Sequence, residues 1–228
     1  MTGSPLSMTV LFHLGPVPIT GPVVVTWCIM ALLAGGSWLL TRRLVLRPSG
    51  AQVVLELVVD TITAQIRDTM RTAPERYLPL IGTLFLFILT ANWSSLVPGV
   101  EPPTAHIETD AALALIVFVA IAWFGIRARG PLGWLRSFAE PNLLMAPLNL
   151  VESVTRTFSL LVRLFGNVMS GVFVVGIVLS LVGLLVPVPL MALELLTGAV
   201  QAYIFAVLAM VFIGGAVGEP ATGDGEGT

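Results

Sequence analysis

Long apolar runs alternate with short polar segments along this chain, and one stretch between them is amphipathic instead. Val23–Leu40 is an apolar run of 18 residues, with Trp27 near one end and Trp38 near the other, as interfacial anchors are placed. Leu78–Val97 is a second run, with Asn92 toward its far end and Pro98-Gly99 as its stop. Ala111–Ile126 is a third, short at 16 residues unless its polar flanks join it. From Leu148 to about Gly183 the pattern is helical and uninterrupted. A helix of that length is roughly 50 Å long, against a bilayer core of about 30 Å. It must tilt or run partly along the membrane. Leu190–Val217 is also longer than a perpendicular crossing needs. The last two runs therefore predict an oblique antiparallel hairpin, with Pro187-Val188-Pro189 as its turn.

Val53–Arg71 has a different pattern. Leu55, Val58, Val59, Ile62, Ile66 and Met70 recur at helical spacing, and Glu56, Asp60, Thr63, Arg67 and Arg71 mark the other face. Acids come early and arginines late, which suits the helix dipole. This pattern predicts a helix lying in the membrane surface, ended by Ala73-Pro74. Residues 1–21, with prolines at 5, 16 and 18, predict an irregular or interfacial lead-in. Pro141 and Pro147 predict an interrupted approach to the long hairpin. The Gly-rich acidic tail, 218–228, predicts disorder. The expected fold is an all-α polytopic membrane protein forming one membrane domain over 1–228. It has five spanning helices (23–40, 78–97, 111–126, 148–183, 190–217) and one amphipathic surface helix (53–71).

Composition agrees with this pattern. The 228 residues are 56% hydrophobic and only 11% charged, where a soluble domain carries about 25% charged residues. Net charge is −2, which gives nucleic acid no basic face. One cysteine, Cys28, and two distant histidines, His13 and His106, predict neither an internal disulfide nor a metal site. No phosphate-binding loop is present, so no nucleotide site is expected in this chain. The N-terminus lacks the basic start of a cleaved signal, and the first apolar run reads as a retained span. All the basic residues are arginine. Six lie in 42–76, three in 127–136 and none in the acidic loop 98–110. By the positive-inside rule the first two segments are cytoplasmic and the acidic loop is outside. The N-terminus is then outside and the C-terminus cytoplasmic.

Arg163 breaks this pattern, because it sits within an apolar run from Phe158 to Met191. A charge there costs roughly 2.5 to 17 kcal/mol, so a use for it is expected. Asn167 and Ser170 follow at i+4 and i+7, on the same face. On the next helix Glu194 and Gln201 share a face, with Thr197 and Gly198 between them. With a turn near residue 185, Gln201 stands opposite about residue 169, and Glu194 lies nearer the outer end. Glu152 and Arg156, at i and i+4, stand toward the cytoplasmic end. Simpler roles compete for several of these residues. Glu152–Arg156 also reads as an ion pair at the membrane edge, and Asn92 and Asn167 as hydrogen bonds between helices. Ser170 and Thr197 read as packing residues, and Glu194 as a structural partner of Arg163. Gly166, Gly171 and Gly176 read as points of close helix approach.

A guanidinium keeps its charge at every physiological pH. Held in a membrane, it repels passing cations and attracts a carboxylate on a partner surface. Polar groups on both sides of it describe two half-channels that do not short-circuit. The chain has no moving acid of its own, so this physics calls for a partner.

Arg163-Leu164-Phe165-Gly166-Asn167, with Gln201-Ala202-Tyr203-Ile204-Phe205 downstream, resembles subunit a of the F-type ATP synthase. The likeness runs from about Leu78 to Val217, and the order of spans fits through the whole chain. Gly82-Thr83-Leu84-Phe85-Leu86-Phe87 and Glu101-Pro102-Pro103-Thr104 resemble the variant called the N-type ATPase, which is often regarded as sodium-linked. The resemblance implies a membrane stator beside a rotating ring of c subunits. The b subunits of the peripheral stalk, the catalytic head and the lipid bilayer would be its other partners, in a bacterial inner membrane. It implies that Arg163 faces the ring carboxylate. Gln201, Asn167, Glu194, Asn92, Ser170 and Glu152 would line the ion's path. No bound cofactor is implied, only transported H⁺ or Na⁺. Two departures stand out. Many members carry an acid eight or nine residues after the arginine, where this chain has Gly171 and Val172. Many carry histidine where this chain has Glu194, so the acid is expected on the facing helix. The competing expectations are a stand-alone channel or secondary transporter, and a membrane scaffold in which Arg163 and Glu194 satisfy each other.

Overall fold

The computed structural model describes residues 10–14, 17–42, 50–97, 100–138, 146–182 and 187–218. The chain opens with two antiparallel strands, β1 (Val10–Leu14) and β2 (Val17–Thr20). A short hairpin thus replaces the irregular segment expected there. Alternating Val, Phe, Ile and Thr residues suit paired extended backbone better than the prolines suggested. Six helices follow, and the membrane part is all-α: α1 (Gly21–Thr41), α2 (Gly50–Met70), α3 (Leu78–Trp93), α4 (Ile107–Phe138), α5 (Ala146–Val182) and α6 (Pro187–Val217). Five of them, all but α2, are long and apolar enough to cross a membrane.

Several boundaries differ from the sequence pattern for local reasons. Proline in a first turn suits a helix, because its missing N–H would go unbonded there anyway. Pro22 starts α1, Pro147 lies in the first turn of α5, and Pro187 and Pro189 begin α6. Pro147 therefore does not interrupt the chain, and Pro187-Val188-Pro189 is helix rather than turn. Pro98-Gly99, Pro141 and the tail beyond Gly218 lie outside the described residues. Helix α2 stops at Met70, before Ala73-Pro74, because Arg71 takes a left-handed conformation with φ 51°.

Helix α4 begins four residues before the expected third span and takes in Glu108 and Asp110. It also runs past Ile126, to a sharp bend at Gly130, whose φ is 76° and ψ 163°. Only glycine adopts such backbone freely, and Pro131 then restarts the helix. The bend folds Trp134 back onto Gly125, where a side chain would meet the indole at 2.5 Å. Just before it, Arg129 donates from Nε to the Val217 carbonyl at 3.2 Å. That contact ties α4 to the C-terminal end of α6, where a cation is favoured by the dipole.

Helix α6 is the centre of the bundle and packs against α2, α3, α4 and α5. Its Ala202, Phe205, Ala206, Ala209, Met210 and Ile213 are all buried. The small residues let neighbouring helices approach closely, as membrane packing requires. Helix α3 adds Ile81, Leu84, Ile88 and Ala91, and α5 adds Leu160, Leu164 and Val168 at i, i+4 and i+8. The amphipathic helix α2 turns Ile66 and Met70 inward, with Leu55, Val58 and Ile62 half-buried beside them. Val59 points outward instead. Helix α1 joins more loosely, packing on α3 with Ile29 as its buried apolar residue.

Candidate functional site

Helix α5 buries one stripe and exposes another. Glu152, Thr155, Arg156, Ser159, Arg163, Gly166 and Ser170 follow one another at helical spacing, and all are exposed. A polar stripe on a membrane-spanning helix, with the apolar stripe turned to the core, reverses what lipid alone would select. Arg163 lies midway along it. Among the described residues it has neither a hydrogen bond nor an ion pair. The mutual satisfaction of Arg163 and Glu194 that a scaffold would need is therefore not made.

The Glu152–Arg156 pair does form, and the Arg156 guanidinium also sits 5.6 Å above the Phe212 ring. Ser170 donates to the Asn167 carbonyl at 2.9 Å, and Thr197 to the Glu194 carbonyl at 3.1 Å. Both hydroxyls thus spend their protons on their own helix. Asn167 is half-buried beside the exposed stripe.

The facing helix supplies the acid. The Glu194 carboxylate rests against Gly171, so closely that a side chain there would meet its Oε1 at 3.0 Å. Glu194 therefore fills the space beside the position eight residues after the arginine. Its Oε1 is buried without a hydrogen-bond partner among the described residues. This contact also sets the register of the hairpin. Seven residues on along α6 stands Gln201, and seven residues back along α5 stands Leu164, the neighbour of Arg163. Arg156 over Phe212 fits the same register. Gln201 is thus level with Arg163, not with residue 169 as the expected turn implied. Gln201 is 6% exposed, and its Nε2 has no partner among the described residues.

Asn92 is built the other way. Its Nδ2 donates to the Gly198 carbonyl at 2.9 Å, and its Oδ1 accepts from Thr104 at 2.7 Å. Gly198 makes this possible, since a Cβ there would stand 3.0 Å from the Asn92 Cβ. The contact joins α3, α6 and the 3₁₀ turn Pro103–Ala105.

Two grooves run along α5, and one of them reaches Arg163. One, of about 550 Å³, runs from Glu152 and Arg156 past Ser159 to Arg163, with Leu208 and Phe212 as its other wall. The second, of about 620 Å³, opens between the acidic loop and α5. Glu101, His106 and Glu108 line its mouth, and Phe165, Met169 and Val172 its depth. His106 and Glu101 approach to 3.4 Å. The grooves lie toward opposite ends of α5.

The model of the family described as ATP synthase A chain matches residues 23–214. The chain belongs to the ATP synthase A chain family. It is similar to "ATP synthase subunit a 2" of Bradyrhizobium sp., with 58% identity covering 98% of this chain and 100% of that protein. It is also similar to "ATP synthase subunit a 1" of Chlorobaculum parvum, at 50% over 91% of this chain and 92% of that one. "ATP synthase subunit a" of Albidiferax ferrireducens is 46% identical over 89% and 88%. Membership in this family makes the chain a multi-pass membrane subunit of an ATP synthase complex.

Sequence reasoning passed over Asp110. It was read as part of an acidic loop, yet it lies inside α4 and is fully enclosed. The signal was present: Leu113, Ala114 and Val117 follow Asp110 at helical spacing, on the face that becomes core.

Proposed function

We propose that this chain is the stator of a rotary ATP synthase, carrying H⁺ or Na⁺ past Arg163 to a ring of c subunits. The exposed Arg163, without a partner among the described residues and at the end of a polar groove, carries this reading; a second groove opens toward the other end of α5. An outward-facing guanidinium attracts a ring carboxylate and repels the free ion. The groove at Glu101, His106 and Glu108 serves the outer side, and the one at Glu152 and Arg156 the cytoplasmic side. This assignment follows from the positive-inside orientation, with the N-terminus outside and the C-terminus in the cytoplasm of a bacterial inner membrane.

In this mechanism an ion enters the outer groove and reaches Glu194, whose Oε1, without a partner among the described residues, is free to hold it. It passes to a carboxylate of the ring at the level of Gln201 and Asn167. The neutralised ring site then turns away into lipid. After a revolution the site meets Arg163 from the other side, and the guanidinium displaces the ion into the groove at Ser159 and Glu152. Ser170 lines the same face. Asn92 fixes the outer wall by joining α3 to α6. The b subunits of the peripheral stalk hold the chain against the ring's torque, and α2 lies in the membrane surface. A stand-alone channel is the weaker reading, because the polar stripe opens away from the bundle.

ATP-driven transport in liposomes containing the whole complex tests this reading, with and without Na⁺ and with a protonophore. Uptake of Na⁺ that survives the protonophore makes this a sodium stator. Acidification that is independent of Na⁺ and collapsed by the protonophore makes it a proton stator. Purification without any ring of small helical-hairpin subunits would overturn the reading.

A further inference from the structure

We propose that Asp110 is a proton-relay carboxyl inside the membrane part of this chain, linking the outer groove at His106 to the level of Gln201 and Arg163. The proposal rests on the stator reading above.

Asp110 is 0% exposed, and neither of its carboxylate oxygens has a hydrogen-bond partner among the described residues. Its backbone N–H bonds to the His106 carbonyl at 3.3 Å, as the first turn of α4 requires. A buried carboxylate with no partner is among the most costly groups a protein holds. A proton removes the charge, and a neighbouring water satisfies the remaining donor and acceptor. A purely local role is a poor alternative. Glu108, in the same first turn, already offers an exposed acid to the helix dipole.

The depth of Asp110 follows from the seam between α4 and α5. Ala111 shares a cleft there with Leu161, while Ile107 and Glu108 share the next cleft with Phe165. Asp110 lies between the two clefts and so stands level with residues 161–165, which include Arg163. Arg163 points outward from α5, whereas Asp110 points into the bundle. Gln201 is at the same level by the α5–α6 register, and its Nε2 is also buried, without a partner among the described residues. Two enclosed polar side chains with open hydrogen-bonding capacity thus occupy one depth, one turn beyond the groove mouth at His106.

The step conserves charge and atoms. The protonated carboxyl gives its O–H proton to water on the Gln201 side, and the carboxylate left behind takes a proton from water on the His106 side. A proton needs only one of the two oxygens, whereas an alkali cation needs its hydration shell replaced by several.

The test uses the whole complex in liposomes and compares ATP-driven acidification in Asp110→Asn, Asp110→Glu and Arg163→Ala. Asn keeps the size and hydrogen-bonding capacity, so a structural role predicts little change. The relay predicts a fall of about tenfold or more in Asp110→Asn, with most of the rate kept in Asp110→Glu. A rate in Asp110→Asn within about threefold of the unmodified complex overturns the proposal, as does an equal loss in both variants. If Arg163→Ala is silent while Asp110→Asn pumps, this proposal alone fails. If Arg163→Ala still pumps, the stator reading fails. Should the Asp variants not assemble, a water-borne thiol reagent decides, applied to Asp110→Cys in a Cys28→Ser background. Labelling at 110 supports water there, and a refractory thiol overturns the relay.

Discussion

At the α3–α6 seam Asn92 uses both ends of its amide, on Gly198 and on Thr104. Within a turn on either side of Gly198, Glu194 and Gln201 each leave a buried polar atom without a partner among the described residues. The two clusters share a helix and a solvent, yet one is closed and the other open. A closed polar cluster in lipid is a fastener: it holds helices at one distance and contributes stability. An open one forgoes that stability, and its groups remain free to meet an ion, water or a partner's side chain. Arg163 is the extreme case, a permanent charge with its back to the core and its head outside the chain.

This contrast predicts that damage to the open cluster removes transport, while damage to the closed one removes stability. Arg163→Ala is expected to have the largest effect. ATP-driven ion transport falls by about a hundredfold or more, with the ring still co-purifying, as a missing electrostatic group in a water-poor site implies. Transport in liposomes and subunit stoichiometry check it, and undiminished transport would break the comparison. Glu194→Gln keeps the shape against Gly171 and removes the charge, so transport falls about tenfold. Rates over a range of ion concentrations measure that loss. Asn92→Ala leaves Thr104 and the Gly198 carbonyl unbonded, and a loss of about 1–3 kcal/mol is expected. Thermal unfolding of the detergent-purified complex reads it; an unchanged midpoint would show that the closed cluster is no fastener. Arg71→Gly is the smallest. It relieves a left-handed backbone worth about 1 kcal/mol, raising the midpoint slightly and leaving transport as it is.

The spanning helices were legible in the sequence because apolar length is a one-dimensional property. Arg163 was legible too, as a charge that no lipid-facing or core position tolerates cheaply. Asp110 was not. An apolar window excludes an acid, and whether that acid lies in a loop or on the inner face of a helix depends on α4 beginning at Ile107. The level of Gln201 was misjudged by about a turn, because the packing of Glu194 against Gly171, and not the position of the turn, fixes how far the two helices slide past each other. The bend at Gly130 also escaped notice, since a glycine takes positive φ only where packing, here Trp134 on Gly125, requires it.

By itself the sequence determined that this chain is a bundle of membrane helices built around one unneutralised arginine. Hydropathy and fixed charge act residue by residue, without reference to neighbours. Tertiary structure alone decided which polar groups meet. It set Glu194 in the space beside Gly171, closed Asn92 onto Thr104 and Gly198, and enclosed Asp110 within the bundle. Those outcomes depend on register and helix rotation, which many weak packing contacts fix together and no single stretch of sequence encodes.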